Sequence, residues 1–266
     1  MNTENLDTLS AELSRYFAPF YAEDDSKRVE IKGTVTYLRL NGVRFIVSAA
    51  HCGRRNADKN PTIPGDGKMW EMFPDGDTRL FSTSGEDDDP HDIMVYQVPD
   101  HIADDIEKSH AFYDLNRRIE IPGIPVGDAF AAGGFPVTRN RGATRRKSGT
   151  TTIPTPSGRI IVLSHCEAND KAYEDPKVSP EVHLVFEYPY RQFLNLEHNK
   201  VRAPEPTGMS GGPLFHITPD EDGTGYKHSF AGINTDFLEP DLRVIVARTQ
   251  ILMDCLKKNF SAAVNG

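Results

Sequence analysis

Three short stretches of this 266-residue chain hold residue types that could share one piece of chemistry. The first is GMSGGPLF, Gly208 to Phe215, which sets Ser210 among glycines. A serine can attack a carbonyl carbon if a base takes its proton and fixed N–H groups meet the charge growing on the oxygen. Glycines permit the backbone angles that aim such N–H groups at one spot. From this motif alone, a serine in a Gly-rich hairpin turn is an equally good reading. The second stretch, FIVSAAHC, brings His51 to the end of an apolar strand, where a base could face a cleft. A lone histidine there is more often structural. The third, HDIMVYQV, opens an apolar strand with Asp92. Capping a turn is that residue's ordinary role, although a carboxylate so placed needs exposure or a partner.

GMSGG also fits G-x-S-x-G, the nucleophile elbow of α/β-hydrolases. An elbow serine is followed at once by a helix, and its acid and histidine come later in the chain. Pro213 and the β-rich PLFHI oppose a helix, and the short tail after Ser210 cannot supply the missing parts. The order here is His51, Asp92, Ser210. Conjunction and order, more than any single motif, point to acyl transfer.

The elements that must position these residues are mostly strands. VEIKGTVTYLRL and VRFIVSAA are joined by Asn41-Gly42, a two-residue hairpin signal. RLFSTS, DIMVYQV, DAFAAGGF, TTTIPT, RIIVLSH, EVHLVFEY, PLFHI, SFAGINT and RVIVA follow, separated by Gly, Pro and Asp clusters. Leu6, Leu9, Leu13 and Phe17 recur at helical spacing before them, and Ile251, Leu252, Cys255, Leu256 and Phe260 after them. The layout is all-β with a short helix at each end.

Composition limits the function classes. The formal net charge of −9 argues against general nucleic-acid binding. The basic run Arg139, Arg141, Arg145, Arg146 and Lys147 reads as a solvated loop in preference to a docking site for an acidic partner. The acidic segments Glu86–Pro90 and Pro219–Gly223 read as turns, lacking a full calcium-ligand spacing. No apolar run is long enough for a membrane span, and no secretory signal is evident. Cys52, Cys166 and Cys255 are widely spaced and read as free thiols, which fits a reducing, cytoplasmic setting. Cys52 is next to His51, but neighbours on a strand point to opposite faces, so the two are expected not to meet.

SAAHC, DIMVYQV and GMSGGPLF resemble the histidine, aspartate and serine motifs of trypsin-like serine peptidases. FAGINT (Phe230–Thr235) is similar to a strand of HtrA-type and other bacterial members, and AAGGFP (Ala131–Pro136) resembles the start of the family's second barrel. The resemblance implies two six-stranded antiparallel β-barrels with the site between them. The expected divisions are a helical extension at 1–27, barrels at 28–122 and 123–247, and a terminal helix at 248–266. Ser210 would be the nucleophile, His51 its base and Asp92 the group orienting the imidazole. Gly208 and Ser210 N–H groups would form the oxyanion hole. No metal or organic cofactor is required, and the partner is a protein or peptide substrate.

Two departures bear on activation. Met209 stands where digestive members carry an aspartate that pairs with a newly cut N-terminus, so activity should not need such a cut. Cys52 lacks its usual cysteine partner. Both fit an intracellular bacterial or phage-type member without a PDZ domain. The specificity pocket is expected to involve Pro204, Thr207, Asn234, Thr235 and Phe237. Pro204 brings no carboxylate to the pocket base, and Phe237 narrows the pocket, which implies a small or apolar preference. A second class stays open: a protease-fold binding or sensor module with weak or partner-gated catalysis.

Overall fold

The computed structural model describes residues 3–24, 28–66, 68–72, 79–84, 89–118, 129–140, 146–147, 150–151, 156–165, 171–188, 193–194, 200–221, 225–239 and 242–261. Helix α1 (Thr3–Leu13) covers the first helical repeat, but Phe17 opens a strand, β1 (Phe17–Glu23). This strand pairs with the next along its whole length, so the expected helical extension to residue 27 is corrected here. Every residue of β1 is buried, which leaves no polar–apolar alternation to reveal a strand. The four-residue step from Leu13 to Phe17 merely continued a helical spacing.

β2 (Val29–Leu40) and β3 (Val43–Ala49) form the expected hairpin, paired out to Leu40–Val43. Asn41 and Gly42 have φ of 48° and 82°, as a type I′ turn demands. Then come α2 (Ala50–Arg54), β4 (Thr62–Pro64), β5 (Met69–Glu71), β6 (Leu80–Ser82), β7 (Ile93–Gln97), α3 (Asp100–Ile106) and β8 (Tyr113–Asp114). The sheet order is β5-β4-β1-β2-β3-β7-β6, with β8 joining β2 in parallel. Among the described residues this sheet is a half-barrel and stands where the first barrel is expected. β4, β5 and β6 have three residues each, too few to carry the ladder around.

The second half closes. β9 (Ala129–Gly134) is followed by the small pair β10 (Arg146–Lys147) and β11 (Thr150–Thr151), then by β12 (Arg159–His165) and β13 (His183–Glu187). A second small pair, β14 (Phe193–Leu194) and β15 (Lys200–Val201), precedes β16 (Pro213–Pro219), β17 (Tyr226–Leu238) and β18 (Arg243–Arg248). Strands β12-β13-β18-β17-β16-β9 make a closed barrel, and α4 (Thr249–Asn259) ends the described chain.

Alternation along the strands sorts side chains into separate cores. Val35, Tyr37 and Ile46 fill the first half, while Phe130, Phe186 and Leu214 fill the barrel. Leu38, Phe45 and Val47 point the other way, into a shared core with Phe215, Phe230 and Ile233. Leu9 and Leu13 of α1 and Leu252 and Leu256 of α4 enter that shared core. The terminal helices are therefore part of the joint between the sheets, not decoration. Phe17 lies in a smaller cluster with Tyr21, Ile31 and Phe135, its ring 5.6 Å from that of Phe135. Phe17→Ala should cost about 3–5 kcal/mol of stability, read from denaturant unfolding, because it leaves a cavity where the halves meet.

Candidate active site

The serine turn is shaped largely by the opposite sheet. Thr34 of β2 donates its N–H to the Ser210 carbonyl and its hydroxyl to the Gly208 carbonyl, both at 2.8 Å. Thr36 donates its hydroxyl to the Gly211 carbonyl at 2.8 Å. Thr34 is held in turn, since Ser48 Oγ donates to its carbonyl (2.7 Å) and the Phe135 N–H donates to its Oγ1 (3.1 Å). From the barrel side, Asn234 accepts the Gly211 N–H at 2.7 Å and donates its own N–H to Gly212 at 2.8 Å. Gly208 and Gly211 have φ of +94° and +88°, a region that suits glycine. The result leaves the Gly208 and Ser210 N–H groups without a partner among the described residues. Thr34, Thr36 and Ser48 escaped the sequence reading because β-branched and small residues in a strand look like ordinary strand formers. Their signal was hydroxyls placed in an otherwise apolar, fully buried run.

His51 is not at a strand end. It lies in the helical turn α2, which follows β3 directly. Asp92 grips the start of that turn: one carboxylate oxygen accepts the His51 backbone N–H at 2.8 Å, and its carbonyl accepts from Ala50 at 3.0 Å. The other oxygen lies 2.7 Å from His51 Nδ1. This hold requires Asp92 to adopt φ 45°, a left-handed conformation that Asp tolerates better than most residues.

Helical geometry also overturns the expectation that His51 and Cys52 point apart. Cys52 Sγ sits 3.4 Å from His51 Nε2. Among the described residues no hydrogen bond joins Nε2 to Ser210, although both line one cleft of about 490 Å³. Burial opposes a charge on the imidazole, but the Asp92 carboxylate and the Cys52 sulfur outweigh it and push the ring up to about 10. Both contacts therefore favour the protonated ring for as long as it faces Cys52. Cys52→Ala removes one of the raising contributions, so His51 should titrate at lower pH in the variant. NMR titration of the His51 ring protons checks this directly.

The pocket residues divide. Asn234 and Phe237 line a small cavity of about 20 Å³ beside Ser210, together with Ala132, Tyr188, Met209 and Val244. Thr207 lines the open cleft instead. Thr235 is buried, donates its hydroxyl to Ile245 at 3.3 Å, and borders a separate hollow of about 110 Å³ behind His51 and Asp92. Pro204 is not among the residues lining the small cavity, and Pro206 is. The Tyr188 hydroxyl donates to the Pro204 carbonyl at 2.5 Å. Tyr188 and Val244 had no local motif to mark them.

Among the described residues no group of three His, Cys, Asp or Glu side chains could hold a metal ion, and no helix is long and apolar enough to cross a membrane. Cys166, Arg141 and Arg145 of the basic run and Glu86–Asp88 of the acidic segment lie outside the described residues.

No family model and no curated protein sequence matches the chain. Solved structures do. Kallikrein-related peptidase 10 in complex with Zn2+ matches over 92% of this chain and 95% of its own, with 14% identity and a TM-score of 0.52. This chain has a chymotrypsin-type fold. The protease of tobacco vein mottling virus (12% identity, 89% and 77% coverage, TM-score 0.45) and the serine protease domain of the Sesbania mosaic virus polyprotein (13%, 93% and 96%, 0.49) are further matches. At such identities the likeness describes the chymotrypsin-type fold, and any chemistry must be argued from the side chains themselves.

Proposed function

We propose that this chain is a serine endopeptidase of the trypsin-like type. The observation that carries the reading is His51, 2.7 Å from Asp92 and lining one cleft with a serine whose turn offers two N–H groups unpartnered among the described residues. In this scheme Ser210 Oγ bonds to the substrate carbonyl carbon while His51 Nε2 takes its proton. The Gly208 and Ser210 N–H groups donate to the resulting oxyanion. His51 then gives the proton to the departing amine as the C–N bond breaks, leaving an acyl ester on Ser210. Water attacks that ester with His51 again as base, and Ser210 recovers its proton as the acid product leaves. The imidazole must exchange its Cys52 contact for Ser210 before the first step.

The proposal extends to an intracellular bacterial setting. A Cβ added at Gly33 would lie 2.8 Å from Cys52 Sγ, so the residue that faces the thiol there is a glycine and Cys52 is a free thiol. Met209 is buried in the barrel core, which supports a site assembled without an N-terminal cut. One observation favours a second reading, a binding module with gated catalysis: Nε2 faces Cys52 rather than Ser210. A fluorophosphonate probe decides between them. Labelling of the parent chain, lost in Ser210→Ala, is expected for the peptidase; no labelling of either supports the binding module.

A further inference from the structure

The small cavity beside Ser210 is lined in part by Asn234, whose side-chain amide is only half paired among the described residues. Asn234 is buried, and its side-chain N–H donates to the Gly133 carbonyl at 3.4 Å. That bond sets which end of the amide is which, and the other end, Oδ1, is a buried acceptor that no donor reaches among the described residues. Buried acceptors are nearly always paired, because an orphan forfeits its bond to water without replacement. The neighbouring polar groups are already engaged. The Tyr188 hydroxyl is committed to the Pro204 carbonyl, and the exposed Asp236 carboxylate accepts the Phe237 N–H at 2.7 Å.

The size of the cavity limits what can pair with this oxygen. Its volume of about 20 Å³ admits roughly one water-sized group. Phe237 packs edge-on against Tyr188, with ring centroids 5.6 Å apart and planes at 77°, and both rings line the cavity. On the peptidase reading, on which this inference rests, the side chain of the residue acylating Ser210 (P1) is the group that enters there. We infer that this pocket selects serine at P1, with the substrate hydroxyl donating to Asn234 Oδ1. Glycine and alanine fit but leave the acceptor unpaired. Leucine, phenylalanine and arginine exceed the space, and the exposed Asp236 does not lengthen it.

The test uses peptide mixtures randomised around a fixed P1 residue, with Ser, Ala, Leu, Phe or Arg at that position. For the parent chain, kcat/KM with Ser is expected to exceed that with Ala by roughly tenfold, and that with the large residues by about a hundredfold. Asn234→Leu should bring the Ser:Ala ratio near one. Phe237→Ala should raise cleavage after Leu and Phe by about tenfold or more. Fluorophosphonate labelling of Ser210 in each variant reports that the nucleophile and its turn are intact. If Asn234→Leu is not labelled, the parent's ratio and Phe237→Ala carry the test. A labelled parent that cleaves equally after Ser and Ala, or prefers Phe or Arg, overturns the P1 inference and leaves the peptidase reading standing. A parent that neither labels nor cleaves any mixture removes both.

Discussion

Asp92→Asn is expected to lower kcat/KM by about 10⁴ while the chain stays folded. The carboxylate does two things at once: one oxygen accepts the His51 backbone N–H, and the other meets Nδ1 at 2.7 Å. Asparagine can keep the first contact through its carbonyl oxygen, so α2 should remain in place. Its amide then turns N–H groups toward Nδ1, which favours the tautomer that carries a proton on Nε2. A ring protonated there cannot accept the Ser210 proton. The carboxylate is also among the groups that push His51 up to about 10, so its loss must lower that value. Linkage then has a definite sign. A histidine raised in the folded state contributes stability that is fully present below its ordinary value near 6.5 and is lost as pH rises toward 10. The variant should lose that pH-dependent part, so parent and variant melting curves should differ most at acidic pH and draw together in alkali. Rates on a cleavable peptide and melting temperatures across pH check the two halves separately.

Gly211→Ala is the second large effect. The position has φ +88°, and a Cβ there would lie 2.1 Å from the Thr34 carbonyl oxygen and 2.2 Å from Ser48 Oγ. The conformational cost alone is about 1–2 kcal/mol. The collision is with backbone, so relief means shifting the turn away from β2. That shift would break the Thr36 bond to Gly211 and pull on those from Thr34. Movements of about an ångström in catalytic geometry cost roughly 10²-fold, and loss of an aligned oxyanion donor costs 10²–10³. We therefore expect kcat/KM to fall by about 10³ together with a lowered melting temperature. Serine labelling that proceeds at the parent's rate would show that the turn has another way to accommodate the side chain.

The barrel strands and the Asn41-Gly42 hairpin were legible because β-branched and aromatic runs and turn chemistry are local properties. His51, Asp92 and Ser210 were legible as a set through motif and order, and the fold brings His51 and Asp92 into contact and Ser210 into the same cleft. β1 was hidden because FAPFYAE has no β-branched residue and Phe17 continues the helical spacing of Leu6, Leu9 and Leu13. The contact of Cys52 with His51 was misjudged for a different reason. β3 stops at Ala49 and a helical turn begins, which changes the side-chain period from two to 3.6 within a few residues. Tyr188 and the threonine hydroxyls act across distances of 16 to 175 residues along the chain, where no local pattern announces a partner.

The bonds from Thr34 and Thr36 into the serine turn have a consequence for how the protein would fail. Ser210 precedes a barrel strand, but three of the carbonyls that define its turn are anchored in the other sheet. Partial separation of the sheets would return those carbonyls to water and release the turn while every strand of the barrel stayed paired. Heat or denaturant should therefore silence the site before secondary structure is lost, making inactivation the first reporter of a loosening joint.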